Sequence, residues 1–253
     1  MWDNPRLLNA AANALIGVAA LLFAYAGLQL LLRSPLFPLH EIVVRGDLKN
    51  AAAAEIESAV DGIGGNFFAA DLAAARARLE QVGWVRRVDL RRVWPDRIEV
   101  RLEEHVAFAR WGDSGLVNTF GEAFAATTER ADQARLPLFA GPAGTEGELT
   151  RRYRRFAELL APLGQAPEHG AIAAIVLTPR YAWQLRLADG LELELGRDGA
   201  EAVEQRLARF VAAYPQSLGR LPQRAAAGGA LPARHVDLRY PNGFALRVAG
   251  WKG

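Results

Sequence analysis

Cysteine is absent from all 253 residues, which excludes disulfide staples, zinc ribbons, thiolate nucleophiles and thiol redox sensing. Histidine is scarce: His40, His105, His169 and His235 are scattered without metal-ligand spacing, so no metal is expected. A basic excess is missing too. The 30 Lys+Arg, nearly all arginine, stand against 28 Asp+Glu for a net charge of +2, and this balance gives no support to a nucleic-acid partner. Catalytic constellations are also lacking. Gly112-Asp113-Ser114-Gly115 imitates the surroundings of a serine nucleophile, but Gly, Asp and Ser between two strands are ordinary turn formers. Gly62-Ile63-Gly64-Gly65 fails the spacing of a dinucleotide loop and follows a helical stretch rather than a strand, so it reads as a bend. These absences lead to the expectation of a protein that is no enzyme, with no catalytic residue, no cofactor and no small-molecule substrate.

What is present begins with an uncharged run from Leu7 to Leu32, closed by Arg6 and Arg33. Its roughly 26 residues make a helix of about 39 Å, longer than the hydrocarbon core of about 30 Å, so a tilted transmembrane span is comfortable. Ala24-Tyr25-Ala26 before Gly27 resembles a signal-peptidase site. The apolar run nevertheless continues through Leu28, Leu30, Leu31 and Leu32, and only Arg6 supplies a positive start, which favours an uncleaved signal anchor. Charge does not decide topology, because Arg33, Arg45 and Lys49 follow the span while Arg6 alone precedes it. The short N-terminal tail points to residues 1–6 inside, 7–32 across the membrane and the remainder exported.

After the span, Pro35 and Pro38 lead into a β-rich run from His40 to Gly46. A helix is predicted from Asn50 or Ala51 to Val60, and Asp71 caps a second with a stripe of Leu72, Ala75, Leu79 and Val82. From Trp84 to Trp111 the chain reads as one hairpin. Val88 and Leu90, then Ile98, Val100 and Leu102, alternate with charged residues around a Trp94-Pro95-Asp96-Arg97 turn, the period of a strand with one buried face. Arg91 and Arg101 fall on the outward face. These elements make a β-α-α-β-β unit of two layers.

Further along, strands are predicted at Leu116–Asn118, Leu138-Phe139, Ile172–Leu177, Trp183–Leu187, Leu191–Leu195, His235–Tyr240 and Phe244–Val248, with helices at Leu149–Leu163 and Ala200–Ala213. Asp189-Gly190 marks a hairpin, and Gln216–Leu231, rich in Pro, Gly and Ala, reads as a long loop. The fold class is α+β: a single N-terminal transmembrane helix, the β-α-α-β-β domain at 37–105, and a mainly antiparallel β domain with flanking helices at 106–253.

The order of these motifs resembles the FtsQ/DivIB cell-division family, specifically the FtsQ type. Ile42-Val43-Val44-Arg45-Gly46 is similar to the start of its POTRA domain. Trp84-Val85-Arg86-Arg87-Val88, Arg92-Val93-Trp94-Pro95-Asp96-Arg97, Glu104 and Ala109-Arg110-Trp111 are similar to the hairpin that follows. Val236 to Ala245 resembles the final strand pair, and Arg206-Leu207-Ala208-Arg209-Phe210 with Tyr214-Pro215 the helix before it. Gly83 departs from the proline that relatives often carry before the tryptophan.

The resemblance implies a single-pass protein of the inner membrane, N-terminus cytoplasmic and C-terminal domains periplasmic, placed at the division septum. As a divisome scaffold it would link early cytoplasmic to late periplasmic division proteins, bind FtsB and FtsL together with other divisome membrane proteins, and control septal peptidoglycan synthesis. The contacts it implies are Tyr240, Asn242, Gly243, Phe244 and Leu246, plus Arg180, which would pair a partner carboxylate. Tyr240 packed within its own sheet and Arg180 solvated on a loop are the plain alternatives. Two other functions compete: a POTRA module for polypeptide transport or envelope protein assembly, and a membrane-anchored periplasmic hydrolase.

Overall fold

A computed structural model describes residues 5–32, 34, 37–64, 66–113, 115–126, 135–163, 172–217 and 234–248. Helix α1, Pro5–Leu32, starts on a proline, whose missing N–H costs nothing in a first turn. Within it, Asn9–Leu31 has a mean hydropathy of 2.1 and is unburied by protein, the one helix among the described residues long and apolar enough to cross a membrane. The chain divides into two compact units, Met1–Glu104 and His105–Gly253.

The first unit has strands β1 (Glu41–Arg45), β2 (Val85–Val93) and β3 (Arg97–Glu104) and helices α2 (Ala53–Val60) and α3 (Leu72–Leu79). The sheet order is β1-β3-β2, with β1 parallel and β2 antiparallel to the central β3. Helix residues Ile56, Val60, Ala75 and Leu79 meet Val88, Leu90, Ile98, Val100 and Leu102 in one core, the alternation having turned one strand face inward. Asp71 caps α3 by accepting the N–H groups of Ala73 and Ala74. The Glu104 carboxylate accepts those of Lys49, Asn50 and Ala51 on the approach to α2. Arg92 donates to the carbonyls of Phe67, Phe68 and Ala70, fastening the loop before α3 to β2. Gly46 has no room for a side chain, since a Cβ there would lie 2.6 Å from the Leu102 carbonyl oxygen.

Two expectations change here. The stretch Trp84–Trp111 is not a single hairpin: Val85–Glu104 supplies it, with a cis Trp94–Pro95 bond at its turn, while Ala107–Trp111 joins the other sheet. The outward face is also not merely solvated. Glu99 is only 5% exposed, because Arg45, Arg91 and Arg101 converge on its carboxylate from three neighbouring positions. The Arg91 guanidinium foremost, with Arg101, holds that carboxyl below its ordinary range against the opposing effect of burial.

The second unit is a mixed nine-stranded sheet. Its strands are β4 (Ala107–Trp111), β5 (Gly115–Asn118), β6 (Ala123–Phe124), β7 (Leu138–Ala140), β8 (Ile172–Leu177), β9 (Trp183–Leu187), β10 (Leu191–Gly196), β11 (Arg234–Asp237) and β12 (Ala245–Val248), with helices α4 (Glu146–Leu160) and α5 (Val203–Ala213). The order is β12-β11-β10-β9-β8-β7-β4-β5-β6. Strand β7 is parallel to β4 and β8, β11 is parallel to β10, and the other pairings are antiparallel. Phe156 and Leu160 of α4 and Val203, Leu207 and Phe210 of α5 pack with Ile175, Trp183, Leu185, Leu193 and Val236 in one core. Both helices begin or end a turn away from the sequence expectation: α4 starts at Glu146 and passes into a 3-10 turn at Ala161–Leu163, and α5 starts at Val203. Most of the expected Gln216–Leu231 loop, Ser114 and His169 lie outside the described residues.

Candidate partner-binding edge

Strand β12 ends the order of the large sheet: one side of its backbone pairs with β11, and no other strand among the described residues pairs with its other side. Expected at His235–Tyr240, strand β11 ends sooner, at Asp237. There the Asp237 carboxylate accepts the backbone N–H of Arg239 and both sides of its guanidinium fork, at 2.9 and 2.6 Å, which turns the chain out of the sheet. That pairing lowers the Asp237 carboxyl below its usual range and raises Arg239. The Arg239 stem runs across Gly196, which has φ +73° and where a Cβ would sit 2.8 Å from it. A glycine is therefore needed at this bulge in β10 for both its angle and its space.

Helix α5 holds the turn from beneath. Arg206 donates to the carbonyls of Leu195, Arg197 and Glu201. Arg209 pairs with Glu201 and also donates to the Tyr240 carbonyl at 3.2 Å. The backbone of Tyr240 is thus pinned while its side chain is left 54% exposed. Phe244 turns inward, edge-on to Phe210 at 5.5 Å. Leu246 lies opposite Val236 on the core face, yet as an edge residue it is covered from one side only and stays 38% exposed. Tyr240 to Ala245, including Asn242 and Gly243, line an open hollow of about 390 Å³ beside the edge.

Arg180 stands apart from this group. It occupies the β8–β9 turn, exposed, and no carboxylate among the described residues pairs with it. Because β8 and β9 are antiparallel, β9 and β10 antiparallel and β10 and β11 parallel, this turn lies at the same end of the sheet as the Tyr240 turn. Three strand spacings of about 4.8 Å separate them, about 14 Å. Next to Arg180, Tyr181 is 59% exposed and has φ +58°, an uncommon conformation for an aromatic residue. Two hydrogen bonds enforce it, Tyr181 N–H to the Thr178 carbonyl and Ala182 N–H to the Thr178 hydroxyl. Thr178-Pro179 just before Tyr181 is the local sequence signal for this turn.

Among the described residues, candidate catalytic groups do not gather. His105 stacks on Phe124 at 4.2 Å and lies 2.9 Å from the Asn118 amide, a structural role, and Gly112 with φ +55° is a hairpin residue. No cluster of His, Asp and Glu fit to hold a metal ion occurs among the described residues.

Residues 37–105 match the FtsQ-type POTRA domain and residues 109–239 match the C-terminal domain of cell division protein FtsQ/DivIB. The chain belongs to the FtsQ/DivIB family. Cell division protein FtsQ of Burkholderia pseudomallei is 42% identical over 100% of this chain and 96% of its own length. The Nitrosospira multiformis FtsQ is 40% identical over 98% of this chain and 99% of its own. That of Escherichia coli is 32% identical over 85% of this chain and 73% of its own. The first unit after α1 accordingly matches the POTRA domain, and the large sheet falls within the match to the FtsQ/DivIB C-terminal domain except for β12 and the start of β4.

Proposed function

We propose that this protein is a divisome scaffold, held in the inner membrane by α1 with its folded domains in the periplasm, that binds the periplasmic segments of FtsB and FtsL at the septum. Through them and other divisome membrane proteins it controls septal peptidoglycan synthesis. The observation that carries this reading is the open edge of β12 beside the pinned, exposed Tyr240. An extended partner segment adds to such an edge through main-chain hydrogen bonds, and the neighbouring side chains provide specificity. Tyr240 gives a rigid aromatic anchor and Leu246 an apolar contact at low ordering cost. Arg180 receives a carboxylate about 14 Å away, a spacing of about four residues of extended chain. Membership of the family supports the division role, and the apolar α1 supports the anchor.

Depletion of the protein, with imaging of a fluorescent fusion, tests the cellular part: filaments without septa and a midcell signal are expected. Normal septation with an envelope-assembly defect would instead favour the transport function of POTRA modules. Reporter fusions at the C-terminus test the orientation, and activity of a reporter that works only in the cytoplasm would contradict it.

A further inference from the structure

We propose that the end of the POTRA domain carrying Phe37, Phe68 and Trp94 rests in the headgroup layer of the bilayer that α1 crosses, so the domain stands on the membrane instead of swinging from a free tether. The chain is fastened almost as soon as it leaves the helix. The Asn66 side-chain amide donates to the Ser34 carbonyl, the Phe67 N–H donates to the Phe37 carbonyl at 2.8 Å, and the His40 N–H donates to the Asp96 carbonyl at 3.0 Å. These bonds set an upper limit on distance. Two residues of chain from Leu32 to Ser34, one hydrogen bond, and two residues from Asn66 to Phe68 place the Phe68 backbone within about 20 Å of the end of α1.

Sheet topology brings the hairpin tip to the same end. Because β1 runs parallel to β3 with Glu41 beside Arg97, the Trp94 turn lies next to the point where the chain enters the domain. Trp94 is 76% exposed and Phe68 41%, and Phe37 meets Phe68 edge-on at 5.1 Å. In water this patch is an unrelieved hydrophobic cost; at the boundary between headgroups and acyl chains, tryptophan and other aromatic side chains are at home. Of the acidic groups at this end, Asp96 lies 3.1 Å from the His40 ring, Glu41 pairs with Arg97 at 2.6 Å, and the Asp71 carboxylate accepts the N–H groups of Ala73 and Ala74. The opposite end of the domain has Asp47, Lys49 and Glu103, and its aromatic residue, Trp84, is buried.

The lack of native cysteine makes a direct test possible. The full chain carrying Ala69→Cys, which leaves Phe68 and Trp94 intact, is spin-labelled in nanodiscs of phosphatidylethanolamine and phosphatidylglycerol with no other division protein present. Its accessibility to a water-soluble nickel chelate is compared with that of Asp47→Cys. The label at 69 is expected to be several-fold less accessible, and Trp94→Ser in the same background to recover most of that difference. Equal accessibility at 69 and 47 overturns the proposal. So does protection at 69 that neither Trp94→Ser nor Phe68→Ser alters. Protection that appears only when other division proteins are added assigns the patch to a protein partner and overturns it equally.

Discussion

In the POTRA sheet, edge strand β2 carries Arg86, Arg87, Arg91 and Arg92 along VRRVDLRRV, whereas in the large sheet edge strand β12 reads ALRV with Arg247 as its sole charge. Charged edge strands resist the addition of another strand, since each incoming backbone must pass long solvated side chains. Three of these four cations are also occupied. Arg91 is committed to Glu99, Arg86 to Glu103 and Arg92 to three carbonyls. In the second domain Arg206, Arg209 and Arg239 are committed to building the Tyr240 turn. Arg180 lies outside that framework. The difference teaches that an arginine-rich surface is not by itself a docking surface; on the proposed reading, the partner is received at the margin whose backbone groups the described fold leaves open.

The comparison breaks most severely if the support under β12 is removed. Phe210→Ala deletes a ring that is 1% exposed and contacts Phe244 and Tyr214. It should cost the C-terminal domain about 3–5 kcal/mol and loosen the turn, seen in denaturant unfolding together with weakened binding of the FtsB segment. Tyr240→Ala should leave stability unchanged and weaken that binding by about 2 kcal/mol, roughly thirty-fold, in calorimetric titration. Full retention of affinity would make the exposed ring a bystander. Arg180→Glu should weaken binding by about ten-fold, with an effect that shrinks as salt is raised. An effect independent of ionic strength would contradict the proposed charge pairing.

The smallest effect, and one confined to the POTRA domain, concerns pH. Glu99 has a depressed folded pKa, so its ionised form adds stability that is fully present above the ordinary carboxylate pKa of about 4.3 and is lost as pH falls through the lowered value. Glu99→Gln should therefore destabilise the domain at neutral pH, by a margin that narrows in acid, while binding at β12 is unaffected. Thermal unfolding of both forms across the acid range checks it, and a difference that widens below pH 4 would refute the sign.

The fold class was legible because hydrophobic periodicity records burial directly. Val88, Leu90, Ile98, Val100 and Leu102 are all core residues, and Asp71 caps α3 through a bond that a short polar side chain before an apolar stripe is built to make. Partner strands were less legible. That β1 lies parallel to β3, and that β4 leaves its neighbour in sequence to join β5 and β7, depends on long-range pairing that no local period encodes. Alternation correctly sent Glu99 outward but said nothing of the three guanidinium groups that close over it from β1, β2 and its own strand. In the candidate site, Tyr240 and Leu246 were named from resemblance. The shortening of β11 at Asp237 rests on the local Asp237–Arg239 turn, whose Arg239 stem needs Gly196 beneath it, and the inward turn of Phe244 on Phe210 acting across the fold. Tyr181 escaped notice for a related reason: a positive φ in a tyrosine is imposed by the Thr178 bonds, not by its own preference.

Amide hydrogen exchange across both domains, with and without the FtsB periplasmic segment, tests the central claim most directly. The account predicts slowed exchange in Ala245–Val248, where open backbone groups gain a strand partner, and no change along β2 or β1. Slowed exchange along β2 with β12 unaltered would contradict it.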